Sequence, residues 1–123
     1  MSATGPVRYT VTAEFDDRAV LDEWIAWLRD GHLAEVLAGG AEHAEVILLD
    51  REPDAAFAAE VRYRFRDRGS LASYLRDHAP RLREEGLRRF PPSRGVRYRR
   101  TTGEVAPSPR AEPRAPADGP RGA

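Results

Sequence analysis

Between Val7 and Phe15 the chain alternates with a period of two. Val7, Tyr9, Val11, Ala13 and Phe15 fall on one side, and Arg8, Thr10, Thr12 and Glu14 on the other. That pattern predicts a half-buried strand. From Asp16 the spacing changes. Leu21, Trp24, Ile25 and Leu28 recur at helical intervals behind Asp16 or Asp17, either of which can cap a helix N-terminus. The pattern continues through His32 and Val36 and stops at Gly39 and Gly40, with Gly31 as a point of kinking or breakage. Glu42–Asp50 reads as a second strand. Phe57–Phe65 reads as a third, with Phe57, Ala59, Val61, Tyr63 and Phe65 on one face and Arg62 and Arg64 on the other. A second helical stretch runs roughly from Ser70 to Glu85, with Leu71, Tyr74, Leu75, His78 and Leu82 on its apolar side. Pro80 inside it predicts a kink or a restart. Gly86 and "FPPSRG" end the helix, and Gly95–Val105 is the fourth strand.

The order β-α-β-β-α-β predicts an α+β, ferredoxin-like fold: a four-stranded antiparallel sheet with two helices on one face. One phrase occurs in both helical stretches: Trp27–His32 reads "WLRDGH" and Tyr74–His78 reads "YLRDH". Either the two halves of a pseudo-symmetric fold repeat it, or it is a coincidence in a chain rich in Leu and Arg. After Val105 the composition shifts to Pro, Ala and Arg with no large apolar residue. Residues 1–105 are therefore expected to form one domain, and residues 106–123 a disordered tail.

Composition narrows the functions. The formal net charge is zero while charged residues make up 33% of the chain, so no global field draws nucleic acid or an anionic membrane. Every basic residue is arginine, a bias that codon usage in a GC-rich genome explains more simply than selection for guanidinium chemistry. With no cysteine, disulfides and thiolate catalysis are excluded. The N-terminal stretch holds no apolar run of signal-peptide length and no segment approaches a membrane span, so a cytoplasmic location without membrane contact is expected.

The candidate chemistry lies between helices and sheet. His32 is four residues from both Leu28 and Val36, and His78 four residues from both Tyr74 and Leu82, so continuous helices would turn both imidazoles toward the sheet. They are the candidate catalytic residues, because imidazole moves protons near neutral pH. Tyr9, Tyr63 and Tyr98 belong to the facing side of the sheet, and their phenols can donate to a developing oxyanion. With Trp24 and Tyr74 they form the candidate ligand-binding set for a small molecule. The competing reading makes the histidines structural, tying helix ends to neighbouring carbonyls. No HxxxH or HExxH pair is present, and neither a metal nor another cofactor is expected. Arg8, Arg62, Arg64, Arg97 and Arg99 should project from the other sheet face beside Glu14, Glu45 and Glu60, with Glu45 placed to pair with Arg62. RNA-binding sheets of this topology carry stacking aromatics there; here the aromatics point the other way.

The stretches "YTVTAEFD", "DEWIAWLRDGHLAEVL" and "HAPRLREEGLRRF" together resemble a small bacterial family known only as a domain of unknown function. The resemblance spans Val7 to about Val105. It implies a ferredoxin-like fold of the dimeric α/β-barrel type, and hence a homodimer joined through open sheet faces, with Ile47 and Leu49 as apolar contributors. It supplies no activity and no catalytic residue. Where many members carry a further histidine this chain has Gly86, which departs from any three-histidine site. The functional expectation is a small-molecule-binding or enzymatic domain using the helix–sheet cleft. The alternative is a non-catalytic structural or interaction module acting through its dimer surface.

Overall fold

In the computed structural model, which describes residues 5–107, β1 (Val7–Phe15), β2 (His43–Leu48), β3 (Phe57–Phe65) and β4 (Val96–Glu104) form one sheet. Its order is β2-β3-β1-β4 and every neighbouring pair is antiparallel. The register sets Tyr9 opposite Tyr63 and Ala13 opposite Tyr98. The alternation of β1 and β3 therefore places their aromatic and aliphatic side chains on one face. This is the expected ferredoxin-like α+β arrangement. β4 ends at Glu104, one residue short of the expected domain boundary. Val105 still donates its N–H to the Pro6 carbonyl. From residue 108 onward the expected tail lies outside the described residues.

Each of the two helical stretches is built from two helices. α1 (Arg18–Trp27) starts where the Asp17 carboxylate accepts the Ala19 N–H at 2.9 Å. It gives way to a wide turn, Leu28–His32, before α2 (Leu33–Ala38). Gly31 makes that turn possible, with φ at 128°, a value that a side chain would strain. α3 (Arg68–Asp77) opens with the Asp67 carboxylate accepting the Ser70 N–H at 2.8 Å. It stops before His78, whose φ of −124° is not helical, and α4 (Ala79–Arg89) restarts with Pro80 in its first turn. Proline is tolerated there because the early N–H groups have no intrahelical partner. The two Leu-Arg-Asp phrases flank breaks but differ in place: Leu28–Asp30 opens the wide turn after α1, whereas Leu75–Asp77 closes α3.

The helices cover one sheet face and close a core of Val7, Phe15, Val61, Phe65, Leu28 and Leu82, all essentially inaccessible. Each side chain of this size contributes roughly 1.5–3 kcal/mol by leaving water. The other face is open and polar. Its rows, read across β2-β3-β1-β4, are His43–Arg64–Arg8–Gly103, Glu45–Arg62–Thr10–Thr101, Ile47–Glu60–Thr12–Arg99 and, on β1 and β4, Glu14–Arg97. Glu45 stands opposite Arg62 as expected, but the ion pair forms elsewhere. Arg62 Nε donates to Glu60 at 2.7 Å, and the Thr12 hydroxyl donates to the other Glu60 oxygen at 3.2 Å. Glu60, two residues along the same face, offers a half-buried carboxylate already held by Thr12 and so wins over exposed Glu45. Arg97 bridges Glu14 and Asp16. Ile47 and Leu49 are half-buried here.

Candidate functional site

A pocket of about 50 Å³ lies between the sheet and helices α1 and α4. Its sheet wall is Tyr9, Val11, Val61, Tyr63 and Tyr98. Its helix wall includes Trp24, Trp27, Leu28, Tyr74 and Leu82, with His32 from the wide turn. Arg83, Leu87 and Arg100 are exposed and form the mouth. About 10–15 Å³ holds one water-sized group. The pocket therefore admits a few heavy atoms, such as the head of a ligand whose remainder lies at the mouth.

His32 gives the pocket its character. The imidazole stacks on the Trp27 indole, with ring centroids 4.2 Å apart and planes inclined by 27°. Its Nδ1 is buried and has no hydrogen-bond partner among the described residues. Burial drives its pKa from 6.5 down to about 4, and the nearby Glu35 carboxylate opposes this only in part. The ring is therefore neutral at physiological pH: one nitrogen donates and the other accepts. A base this weak abstracts protons poorly, since general bases work best with a pKa near the operating pH.

The tyrosines are held as donors. Burial raises the Tyr63 phenol well above its ordinary range, helped by Tyr74 and Tyr9 and opposed by Arg100. Burial likewise pushes Tyr74 up to about 12, with Tyr9 adding to it and Arg83, Arg100 and Arg81 opposing. Tyr98 also rises to about 12 through burial, against Arg100. The Tyr98 hydroxyl donates to the Phe90 carbonyl at 3.1 Å, and Arg83 Nη2 donates to the Tyr9 hydroxyl oxygen at 3.1 Å, leaving the Tyr9 hydrogen free. No carboxylate lines the pocket among the described residues. The arrangement is rich in hydrogen-bond donors and poor in bases, so it suits holding a carbonyl or an oxyanion rather than removing a proton.

Five of the aromatic residues singled out from sequence, Tyr9, Tyr63, Tyr98, Trp24 and Tyr74, meet in this pocket together with His32. His78 does not. Its ring stacks on the outer part of Tyr74, with centroids 6.2 Å apart, and packs against Gly39 at the end of α2. A methyl group on Gly39 would approach His78 Cγ to 3.0 Å. The expectation that both histidines share one cleft fails because the helix breaks at His78. His78 still donates its N–H to the Tyr74 carbonyl at 2.9 Å, and its ring is taken up against Tyr74 and Gly39. Trp27, Arg83, Leu87 and Arg100 were not anticipated. Arg100 was legible from the alternation of β4, two residues after Tyr98. Arg83 was not, because the break hides the phase of α4.

A larger open groove of about 440 Å³ runs along the other side of Trp27. Of its two arginines, Arg94 is already held by Glu23 at 3.1 Å and Arg89 is exposed. The groove therefore offers a ligand less than the smaller pocket does. Among the described residues no helix is long and apolar enough to cross a membrane.

A family model, Domain of unknown function (DUF4286), matches residues 7–102, and the chain belongs to that family. No curated protein matches the chain. Solved structures share its fold. One is a dimeric ferredoxin-like protein from an uncultured marine organism, at 14% identity and a TM-score of 0.66, covering 85% of this chain and 99% of its own. Another is an ethyl tert-butyl ether d (ethd) family protein from Bacillus halodurans, at 16% identity and a TM-score of 0.64, covering 82% and 99%. A third is HapK from Hahella chejuensis, at 16% identity and a TM-score of 0.58, covering 87% and 99%. At these identities the likeness concerns the fold alone.

Proposed function

We propose that this domain binds a small carbonyl-bearing organic molecule in the helix–sheet pocket, where neutral His32 and the hydroxyls of Tyr9, Tyr63 and Tyr74 hold its oxygen. The unpartnered, buried Nδ1 of His32 carries this reading. A polar atom buried without a partner costs about 1–3 kcal/mol, and a ligand that pairs with it recovers that cost on binding. Any chemistry at the site would use polarisation of the bound carbonyl. His78 supports the end of α2 and takes no part.

The test is a titration with 2-oxobutyrate and, separately, its neutral amide, read by tryptophan fluorescence, since Trp24 and Trp27 both line the pocket. A saturable change with at least one of them is expected. It should vanish in Gly86→Leu, because a side chain at Gly86 is directed toward Trp27, 3.4 Å from its Cβ position. No saturable change with either compound would refute the reading.

Two copies are proposed to pair through the open sheet face. Arg8 carries a buried Nε without a partner there. Exposed Glu45, displaced from Arg62 by Glu60, supplies a carboxylate that a second copy can bring to it. A solved structure of the same fold is described as dimeric. A non-catalytic interaction module would use this face without the pocket, and the titration above separates the two.

A further inference from the structure

Nine of the seventeen described arginines stand in ion pairs and eight do not. Arg18, Arg62, Arg81, Arg94 and Arg97 each stand within 4 Å of a carboxylate. Of the eight, Arg83 and Arg100 are the two that line the pocket. Arg83 donates to the neutral Tyr9 hydroxyl at 3.1 Å, and Arg100 lies over the Tyr98 ring at 5.6 Å. Neither forms an ion pair among the described residues. Both guanidiniums lie near enough to the phenols to oppose the rise of Tyr74, and Arg100 opposes that of Tyr63 as well. The interior between them contains no carboxylate and offers donors in abundance. A neutral ligand would leave two guanidiniums at the pocket rim without a counter-charge. An anion would meet them as charge-assisted hydrogen bonds, which are roughly twice as strong as neutral ones.

We propose that the pocket takes a small organic acid as its anion, with the carboxylate between Arg83 and Arg100 at the mouth and a short oxo-bearing chain directed inward to His32 and the tyrosines. This rests on the reading of the pocket as a binding site and specifies its ligand class. The size agrees: about 50 Å³ suits a chain of a few heavy atoms, with the charged group left at the exposed rim. The exposure of both guanidiniums also lets a hydrated carboxylate approach without complete desolvation, which keeps the charge affordable.

The experiment compares the dissociation constants of 2-oxobutyrate and 2-oxobutyramide, two probes of nearly equal shape, in the wild type and in Arg83→Met and Arg100→Met. The acid should bind about tenfold more tightly or better, and each substitution should remove most of that preference. Circular dichroism spectra and urea midpoints matching those of the wild type show that both variants fold. The advantage of the acid should shrink as salt rises, because both arginines are exposed. Equal binding of acid and amide overturns the ligand class and leaves the pocket reading standing. A preference that survives both substitutions also overturns it. Binding of neither compound overturns the class and the pocket together.

Discussion

The His32 imidazole and the Trp27 indole lie face to face at 4.2 Å, and this contact separates the internal pocket from the groove outside. Trp27 removes one face of the imidazole from water without offering its nitrogen a partner. Burial keeps the ring neutral, and its Nδ1 has no partner among the described residues. The contact exists because the wide turn at Leu28–His32 carries His32 back beneath the last residue of α1.

The first prediction concerns pH. The folded pKa of His32 is about 4 and the unfolded one 6.5, so between these values the unfolded chain binds more protons. Stability is then fully present above about pH 6.5 and is lost as pH falls toward 4. At about pH 4.5 the loss from this group is roughly 2–3 kcal/mol. His32→Leu should be within about 1 kcal/mol of the wild type at pH 7, because it gives up a stacking contact but also removes an unpartnered buried nitrogen. It should unfold later than the wild type in urea at about pH 4.5. Parallel pH profiles for the two proteins would show that the imidazole is hydrated in the folded state.

The second concerns His78 as a support. Gly39→Ala places a methyl group 3.0 Å from both His78 Cγ and Tyr74 Cδ1, which should cost about 1–3 kcal/mol. In a His78→Ala background the same substitution should cost clearly less. Additive effects in a double-mutant cycle would mean that the two residues do not touch.

Gly31→Ala separates backbone strain from crowding. Nothing lies within 4 Å of its Cβ position, so the cost comes from φ at 128° alone, on the order of 1–2 kcal/mol. Because the strain falls on the turn that carries His32, probe binding should weaken too. An unchanged denaturation midpoint would indicate that the turn has another conformation available.

How much of this was readable beforehand differs by element. The strands were legible because alternation fixes a face once one residue is placed, and so Tyr9, Tyr63 and Tyr98 could be assigned to one wall together. The breaks were foreseeable at Gly31 and Pro80, since each carries a residue that helices handle badly. Their consequences were not. A break resets the helical phase, and spacing alone cannot tell how far the chain turns. His78 was therefore placed in the pocket although it lies outside, and Arg83 and Leu87 on α4 went unnoticed. Trp27, three residues after Trp24, sits at the border of the apolar stripe, where spacing does not reveal which cavity a ring will close. The Glu60–Arg62 pair was missed because cross-strand geometry was given weight over two residues on the same strand.

The dimer is tested by sedimentation at micromolar concentration. A dimer is expected, weakening as salt rises and in Arg8→Glu, which sets like charges against Glu45. A monomer at every salt concentration would remove the open face as a self-association surface.

The most direct measurement is the ring-nitrogen NMR spectrum of the three histidines, recorded at pH 7 before and during addition of 2-oxobutyrate. The account predicts a neutral His32 whose Nδ1 carries the proton and whose Nδ1 signal moves saturably with the probe, while His43 and His78 stay in place. His32 signals that remain fixed while the probe is added in excess would contradict it, and so would movement of His78 in their stead.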